Sequence, residues 1–526
     1  CVYLWFFLMY AIHPRCSVMV VHAMDYHYFL PFCIVQKMMG LFQRSYFMRI
    51  LFFLLFFSVC LAFSQDYNPS KDDYSYSFVA PVAWNQIAPL EQGREWRGFW
   101  ADAWNKGFLN KSQIKEMVMV AKQYGYNAIV MQARRRGDAV YFPTYPNVEP
   151  RMSGIAKDFD ALSEVIQEAH SQGIEVHAWI STFLVSPPTP PTNPEHVYLK
   201  HPEYLNQSLE GNTKFEEGYY LDPGHPGALQ WNENVVIDLV THYGIDGIHF
   251  DYVRYPQQNA GYNPTSVARY NKEYGLTGKP PANDAQFSEW RRRQITDWLR
   301  CMYVKILEIK PLMKVTAATF AGRSDAYTHR LQDWALWMKE GILDANLPMN
   351  YSQNLAIFQS RVNDVLANSY GQHVYMGTGA YLLPVSDTIT QLQYARDSGS
   401  AGLILFSYAN NAKTGVWMEN FQAINQKLFF QSALIPEMPW KTRPTEGYLY
   451  GKVVSASNVG DMSNARITIS SLNKQTRTKG DGYYSFVRLL PQEYLISCEL
   501  AGWKTQTKKV SIAKGYVSTL DFILEK

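Results

Sequence analysis

The chain has 526 residues, which is long for one ordinary domain and suits a large domain with a smaller companion. Hydrophobic residues make up 47% of it and aromatic residues 15%, enough for a well-packed core. The net charge is only +3, without any block of like charge, whereas nucleic-acid binding calls for a concentrated basic face. We therefore predict no nucleic-acid partner.

The first organised segment is typical of a secretory signal peptide. Residues 48–65 carry one arginine, then an apolar run, then small residues that place a cleavage site before Gln65. The run is shorter than the roughly 20 residues of a membrane-spanning helix. We predict a signal peptide at 48–64, export to the periplasm or the cell exterior, and no stable membrane span after cleavage.

The segments on either side of the signal peptide are less informative. Residues 1–47 do not begin with methionine and show no clear organisation. We interpret them as an over-extended reading frame that precedes a true start at Met48; the alternative is a membrane anchor built on the apolar residues 2–12. Residues 65–91 are predicted to be an N-terminal extension.

From residue 92 to 431, short apolar runs typical of strands alternate with helical patterns. Eight runs are predicted as strands: 97–102, 128–134, 174–180, 247–253, 315–320, 345–351, 374–381 and 402–409. Eight alternating strand–helix units predict a (β/α)8 TIM barrel. A doubly wound open sheet is the alternative, but no glycine-rich phosphate loop follows the first strand.

Helix signals and long loops lie between these strands. Ser112 is predicted to cap a helix that ends at Gly125, and a second helix is predicted to end at Gly173. The proline-rich residues 186–198 and the later residues 216–227 separate the third and fourth strands. Because proline-rich chain is stiff and extended, we expect rigid walls above the barrel mouth, with residues 256–266 adding another.

After a proline-punctuated linker at 432–446, the pattern changes to short alternating strands with turns between them. Six such strands over residues 447–526 predict a small all-β sandwich. Two cysteines remain after signal cleavage, Cys301 and Cys498, and they fall in different predicted domains. With no metal-spaced Cys cluster and no HExxH, GxSxG or P-loop motif in the sequence, we predict no metal and no cofactor.

The fourth predicted strand carries an ionisable pair where apolar residues are expected. In GIDGIHFDYVRYP, residues 244–256, His249 and Asp251 share one face at the strand's C-terminal end. Polar residues at this end of barrel strands line active sites, so Asp251 is the first catalytic candidate. The structural alternative is an ion pair with Arg254 or with a barrel arginine such as Arg134, which would keep Asp251 ionised.

The motifs RGFWAD, YNAIVMQARRRGDAVYFP, LDPGHP and DGIHFDYVRYP resemble those of the bacterial glycosyl-hydrolase-like family ten, over about residues 96–427. The tail resembles a carboxypeptidase-regulatory-like β-sandwich, an accessory module without catalytic duty. The family resemblance implies a TIM-barrel glycosidase, and members that cleave the glycan strands of denuded peptidoglycan are known. It also implies that Asp251 is the glycosidic nucleophile.

Glycoside hydrolysis ordinarily needs a second carboxyl group as general acid. The fifth predicted strand does not end in a glutamate, so the acid position familiar from some barrel glycosidases is empty and we predict the acid elsewhere. Asp138 is the first candidate, because it lies in a loop that matches the family; otherwise it binds a sugar hydroxyl or organises the neighbouring arginines. Asp325 is second, and Asp222 is third because an aspartate before Pro-Gly usually makes a turn. Asp344 begins its predicted strand, so we place it at the N-terminal end of the barrel, where residues serve stability rather than catalysis.

Substrate contacts are predicted at strand ends, where aromatic faces suit sugar rings. His177 and Trp179 share one face of the third strand, and His249 is predicted to hold Asp251 or touch the substrate. For each aromatic residue taken singly, core packing is the alternative. The predicted binding residues are Trp100, Arg134, His177, Trp179, Asp222, His249, Tyr252, Arg254, Tyr351, Tyr381 and Tyr408.

The sequence thus predicts an exported glycoside hydrolase that acts on a polymeric glycan, with denuded peptidoglycan strands as the expected substrate. The alternatives are a non-catalytic glycan-binding barrel, a lytic transglycosylase or lyase on the same scaffold, and an interaction scaffold in which the sandwich is the functional part. The choice between retaining and inverting chemistry stays open.

Overall fold

The computed structural model describes residues 93–144, 149–411, 417–457 and 460–526. These residues fall within one compact unit, Tyr76–Lys526. The predicted reading-frame extension, the signal peptide at 48–64 and the extension at 65–91 lie outside the described residues and stay predictions.

Parallel strands close a barrel in the larger part of the chain. The strands up to residue 411 are β1 (Trp96–Ala101), β2 (Ala128–Arg134), β3 (Glu175–Ser181), β4 (Leu184–Ser186), β5 (Lys214–Phe215), β6 (Gly218–Tyr220), β7 (Gly247–Asp251), β8 (Lys314–Phe320), β9 (Ala345–Asn350), β10 (His373–Thr378) and β11 (Gly402–Phe406). Eight of them close in the order β1-β11-β10-β9-β8-β7-β3-β2. The predicted TIM barrel is confirmed.

Residue alternation along the barrel strands separates two apolar cores, because successive side chains of a strand point to opposite faces. Trp96, Trp100 and Trp179 pack inside the barrel. Phe99 and Phe250 point outward and pack against the surrounding helices. The strands are therefore buried on both faces, as parallel strands usually are.

Helices surround the barrel, and several begin at a residue whose side chain caps the first turn. Those in the described residues are α1 (Lys111–Gln123), α2 (Ala161–Ser171), α3 (Val197–Lys200), α4 (Pro226–His242), α5 (Pro264–Tyr274), α6 (Ala285–Ile309), α7 (Arg323–Thr328), α8 (Trp334–Glu340), α9 (Leu355–Ala367), α10 (Val385–Asp397), α11 (Trp417–Ile424) and α12 (Pro439–Thr442). Asn110, rather than the predicted Ser112, caps α1: its side chain accepts a hydrogen bond from the Gln113 N–H. Within the described ranges, no helix combines the length and apolarity needed to cross a bilayer.

The long connection between β3 and β7 is more regular than the predicted extended wall. Its strands form a small antiparallel sheet in the order β4-β6-β5, with a tight turn between β5 and β6. At Gly218, which starts β6, a Cβ would lie 1.9 Å from the Ser186 carbonyl oxygen. Glycine therefore lets the hairpin dock on β4, which brings the turn residue Glu217 over the barrel mouth.

The C-terminal part is a sandwich of two sheets with more strands than the six predicted. These are β12 (Gly447–Ser455), β13 (Arg466–Ile469), β14 (Lys474–Arg477), β15 (Tyr483–Leu489), β16 (Glu493–Glu499), β17 (Gln506–Ser511), β18 (Val517–Thr519) and β19 (Phe522–Leu524). One sheet has the order β14-β13-β16-β17, and β12 pairs with β15, β18 and β19 in the other. The last predicted strand is split because the Asp521 carboxylate accepts the Lys452 N–H at 2.7 Å, in place of a backbone carbonyl.

Buried polar contacts join the sandwich to the side of the barrel. Lys479 of the sandwich lies 2.9 Å from Asp481 and 3.7 Å from Glu233 of α4, and Lys305 of α6 also pairs with Glu233. The Cys301 Sγ of α6 lies 3.4 Å from the Ser485 Oγ. Since Lys479, Glu233, Cys301 and Ser485 are buried, the sandwich is packed onto the barrel and is more than a tethered appendage.

Candidate active site

Asp251 is the last residue of β7, and its side chain lies at the C-terminal end of the barrel with only 8% of the residue exposed. The Trp179 Nε1–H, from β3, donates to Oδ2 at 3.1 Å, and the Tyr252 N–H donates to Oδ1 at 2.7 Å. Donors on both oxygens fix the orientation of the carboxyl group. A fixed orientation is what a group that reacts with a bound substrate needs.

The chain turns sharply directly after Asp251. Tyr252 has a φ of +50°, a left-handed conformation that a bulky residue rarely adopts and that costs of order 1–3 kcal/mol. The Arg254 guanidinium carbon lies 4.8 Å from the centroid of the Tyr252 ring. Such strain is often found at functional sites, and here it keeps the Tyr252 ring beside the carboxyl group.

A second carboxyl group reaches the mouth from the hairpin of β5 and β6. Arg254 Nη2 donates to both oxygens of Glu217 at 2.9 and 3.0 Å, and the Tyr220 hydroxyl donates to Glu217 Oε2. The Arg254 side chain is 3% exposed, whereas 36% of the Glu217 side chain is exposed. The arginine is thus buried under the carboxylate, which stays accessible from solvent.

The surroundings shift the pKa values of these two carboxyl groups in opposite directions. Burial raises the pKa of Asp251 to about 6, and the negative charge of Glu217 adds to the effect, against the hydrogen bonds from Tyr252 and Trp179 and the charge of Arg254. Burial also acts to raise the pKa of Glu217, but Arg254 and the Tyr220 hydroxyl outweigh it and hold that pKa below its usual range. Asp251 therefore holds its proton more readily than Glu217 does.

Aromatic rings enclose the carboxyl group of Asp251. Loss of solvent raises the pKa of the half-buried Tyr351 phenol, and the negative charge of Asp251 adds to the effect. The Phe406 ring centroid lies 5.6 Å from Tyr351, 5.9 Å from Tyr381 and 6.4 Å from Trp179. This wall removes water from Asp251 and offers flat apolar faces to a sugar ring.

Three of the predicted site residues, Trp100, His177 and His249, lie deeper in the barrel. The Trp100 Nε1–H donates to His249 Nε2 at 3.0 Å, and His249 Nδ1 lies 2.9 Å from Thr316 Oγ1. His177 lies at the opposite end, where its Nε2 is 3.3 Å from Glu175 Oε2 at the start of β3. Both histidines are fully buried, so His249 positions Trp100 rather than Asp251, and His177 belongs to the lower barrel layer.

Arg134 is a structural arginine and does not form the predicted pair with Asp251. Its guanidinium pairs with Glu149 at 2.7 Å, and neither side chain is exposed. It also donates to the backbone carbonyls of Ser181 and Thr182 at 2.6 and 2.8 Å. Arg134 therefore holds the chain where β3 ends and stabilises the barrel beneath the mouth.

The three aspartates proposed as the acid all have local roles. Asp138 pairs with Arg135 at 2.6 Å and so organises its loop. Asp222 is fully buried and accepts the Gly224 N–H in the turn before α4 and the Asn263 N–H directly before α5. Asp325 lies in α7 with 47% of its side chain exposed and pairs with His329 at 3.0 Å. Over the described part of the chain, no three His, Cys, Asp or Glu side chains are grouped as metal ligands would be.

Tyr408 lies away from the mouth. Its ring centroid is 5.2 Å from that of Phe99 and 5.0 Å from that of Trp417, on the outer face where α11 packs. Tyr408 is therefore a core residue, the alternative that the sequence left open for each aromatic.

Glu217 is the site residue that the sequence reasoning missed. It lies in the segment EEGYYLDPGHPG, residues 216–227, which was interpreted only as part of a wall. Two glutamates before a glycine and two tyrosines were the available signal. That signal is weak, because the docking of Gly218 against Ser186 is a tertiary contact between residues 32 positions apart.

Comparisons with known proteins identify what the two parts of the chain resemble. Residues 95–384 match the family described as glycosyl hydrolase-like 10, and residues 449–525 match the carboxypeptidase regulatory-like domain. The chain is 26% identical over 462 residues to the glycosyl hydrolase YngK of Bacillus subtilis (strain 168), covering 78% of this chain and 86% of that protein. It is 25% identical over 275 residues to the glycosyl hydrolase DigH of Escherichia coli (strain K12), covering 46% and 59%.

A solved structure shares the fold. The glycoside hydrolase domain of PgaB (BpsB) from Bordetella bronchiseptica aligns with a TM-score of 0.50 at 15% sequence identity, covering 64% of this chain and 100% of that domain. Because the family match spans more than half of the chain, both resemblances read from the sequence are confirmed, and the barrel is that of a glycoside hydrolase. The protein belongs to the glycosyl hydrolase-like 10 family.

Proposed function

We propose that the protein is an exported hydrolase of denuded peptidoglycan strands, with Asp251 as its proton donor and Glu217 as the ionised partner. The observation that carries this proposal is the pair of carboxyl groups at the barrel mouth, whose pKa values are shifted in opposite directions. Environments that separate two carboxyl groups in this way define acid and base roles in glycosidases.

Cleavage requires a proton on the departing oxygen and an ionised carboxylate on the other side of the sugar. Asp251, with its pKa raised to about 6, gives its proton to the glycosidic oxygen as the bond from that oxygen to C1 breaks. Glu217, kept ionised by Arg254, either takes a proton from the attacking water or bonds to C1 and is then displaced by water. Either route adds one water across the bond, and the anomeric configuration of the first product, read by NMR, distinguishes the two.

This assignment reverses the nucleophilic role that the family resemblance implied for Asp251. The reason is physical: Asp251 is buried beside aromatic rings, whereas Glu217 receives two hydrogen bonds from an arginine and one from a tyrosine. A guanidinium stabilises the charged form of a carboxyl group, and an apolar wall stabilises the neutral form.

The choice of substrate is supported by the family and by the predicted export. Family members that cleave denuded peptidoglycan strands are known, and a signal peptide at 48–64 would bring this chain to the compartment of the cell wall. N-terminal sequencing of the mature protein tests the export step, and the expected first residue is Gln65.

The activity is tested with denuded peptidoglycan strands, chitin oligomers and a plant β-glucan, whose products are identified by mass spectrometry. We expect wild-type protein to release water-added saccharides from the peptidoglycan strands. The Asp251→Asn variant should be slower by roughly 10²- to 10⁴-fold, the usual contribution of a general acid. Anhydro products would instead identify a lytic transglycosylase, and binding without products would identify a glycan-binding barrel.

The pH profile tests the two roles. Because Asp251 acts in its protonated form, kcat/KM should fall as the pH rises through about 6. The acid limb of the kcat/KM profile should lie below the usual pKa range of a glutamate, because Glu217 must be ionised. Glu217→Gln should remove that limb. A kcat/KM that rises through pH 6 would mean that Asp251 acts ionised, and would return it to the nucleophilic role.

A further inference from the structure

Three consecutive arginines, Arg134 to Arg136, lie where β2 ends, and they differ in their partners. Arg134 pairs with Glu149 at 2.7 Å, and Arg135 pairs with Asp138 at 2.6 Å. Arg136 forms no ion pair with any described residue; its guanidinium carbon lies 5.1 Å from the centroid of the Trp104 ring. Of the three positive charges, that of Arg136 is therefore left without a neutralising carboxylate in the described part of the chain.

The backbone of Arg136 is held firmly in place. Its N–H donates to Asp138 Oδ1 at 3.3 Å, and its carbonyl oxygen lies 2.9 Å from His196 Nε2. The next residue, Gly137, has a φ of +74°, and a Cβ there would lie 2.5 Å from the same imidazole nitrogen. The loop is thus built around a close contact that only glycine permits, and this contact fixes the backbone from which the Arg136 side chain extends.

Arg136 and Trp104 lie at the same end of the barrel as the carboxyl pair. Burial raises the pKa of Tyr252 to about 12, with Asp251 and Glu217 adding to the effect, and the positive charge of Arg136 acts on the same phenol in the opposite sense. Arg136 is therefore within electrostatic reach of the residue next to Asp251. Trp104, in the loop after β1, is 48% exposed, so its ring is accessible to a ligand beside Arg136.

We propose that Arg136 and Trp104 form a subsite for a sugar that carries a carboxylate. The Trp104 face would support the sugar ring, and the planar guanidinium would bind the carboxylate through two parallel hydrogen bonds. This inference rests on the proposed function and deepens it. It makes the substrate an acidic glycan, such as a strand in which every second amino sugar bears a lactyl carboxylate, and disfavours a neutral β-linked polymer.

The experiment compares one polymer in two forms: denuded peptidoglycan strands, and the same strands with their carboxyl groups reduced to alcohols. We expect wild-type kcat/KM to be higher on native than on reduced strands by roughly 10- to 100-fold, the range of a charge-assisted hydrogen bond. In Arg136→Gln this ratio should fall close to 1. The matched control is Arg135→Gln, in the same loop but already paired with Asp138, which should keep the wild-type ratio.

Equal rates of wild-type protein on the two forms would overturn the subsite and leave the hydrolase assignment standing. If no polymer is cut at all, the proposed function fails, and the subsite is judged separately by sedimentation binding. In that assay, Asp251→Asn protein should bind native strands more tightly than reduced ones, and the Asp251→Asn, Arg136→Gln double variant should not discriminate between them. Equal binding of both forms by the single variant would overturn the subsite.

Discussion

The two ends of the barrel each bury an aspartate, and the surroundings of the two side chains differ. At the N-terminal end, Asp344 directly precedes β9. It accepts hydrogen bonds from the Tyr303 hydroxyl at 2.9 Å and the Trp440 Nε1–H at 2.8 Å, and it pairs with the buried Lys441 ammonium at 2.8 Å. This carboxylate has its own cation, and its partners come from α6, α12 and the Val315 N–H of β8.

At the C-terminal end, Asp251 has two neutral donors and shares its cation. The neighbouring arginine, Arg254, makes its ion pair with Glu217. Burial therefore raises the pKa of Asp251 to about 6, because the hydrogen bonds and the shared charge of Arg254 do not offset it. A buried carboxylate with a dedicated cation, such as Asp344, thus serves stability. Asp251, whose neighbouring cation is bound to a second carboxylate, remains able to exchange a proton near neutral pH.

We expect the greatest loss of stability from a change in the ion pair at the N-terminal end of the barrel. Asp344→Asn leaves the Lys441 ammonium buried without a counter-charge, since only 3% of that side chain is exposed. Removing one partner of a buried pair costs about 3–5 kcal/mol. We expect a free energy of unfolding lower by that amount in urea denaturation, with kcat of the folded protein preserved.

The double variant Asp344→Asn, Lys441→Met is the control for this prediction. Replacing a whole buried pair with apolar groups is often neutral, so most of the lost stability should return. A double variant as unstable as the single one would mean that the hydrogen bonds from Tyr303 and Trp440, rather than the ion pair, hold this end together.

The next prediction concerns the free energy of unfolding that the buried Asp251 carboxyl group costs the protein at neutral pH. In the unfolded chain Asp251 has a pKa near 3.8, and in the folded protein about 6. The folded state therefore binds this proton more tightly, and stability is lost as the pH rises from about 4 to above 6. One pKa unit corresponds to about 1.4 kcal/mol, so the cost at pH 7 is at most about 3 kcal/mol. Asp251→Asn should melt above wild type at pH 7 and close to it at pH 4.

Glu217→Gln is the matched control and should behave in the opposite way. Because the folded state holds the pKa of Glu217 below its usual range, its ionised form contributes stability above that range. The variant should therefore melt below wild type at pH 7, and the difference should shrink as the pH falls below 4. If both variants shifted the melting temperature in the same direction, the contrast between the two carboxyl groups would be wrong.

A smaller effect is expected from the hydrogen bond that Trp179 donates to Asp251. Trp179→Phe keeps an aromatic ring but removes the indole N–H that donates to Oδ2. Losing a hydrogen bond to a charged group raises the pKa of the carboxyl group, and the basic limb of kcat/KM should move up by about one pH unit. Trp100→Phe is the control, because the N–H that it removes donates to His249 rather than to Asp251. In this variant the basic limb of kcat/KM should stay at its wild-type pH.

Much of the fold follows from local pattern. All eight barrel strands lie within a few residues of their predicted positions, because apolar runs bounded by helical patterns are set by neighbours in sequence. Ser112 shows the limit: Asn110 and Ser112 are both cap-forming residue types two positions apart, and the backbone decided between them. In the sandwich, β14 escaped prediction because KQTR has little apolar character.

The site was predictable in part. An ionisable residue at the end of an otherwise apolar strand marked Asp251, and Trp179 and Arg254 lie beside it in the folded protein. His177 shares a face with Trp179 only two residues away, yet lies at the lower end of the barrel. Alternation along a strand tells which face a side chain takes; the tilt and stagger of the closed barrel decide its depth.

The sequence by itself determined the barrel, the sandwich and a carboxyl group at the end of β7, since all three follow from short-range periodicity. Only the tertiary structure decided which charges meet. Glu217 reaches Arg254 because a hairpin 37 residues earlier in the chain docks on β4. Arg134, Arg135 and Arg136 are alike in sequence and are distinguished only by the carboxylates that folding does or does not bring to them. Electrostatic pairing acts through space, and no local pattern encodes it.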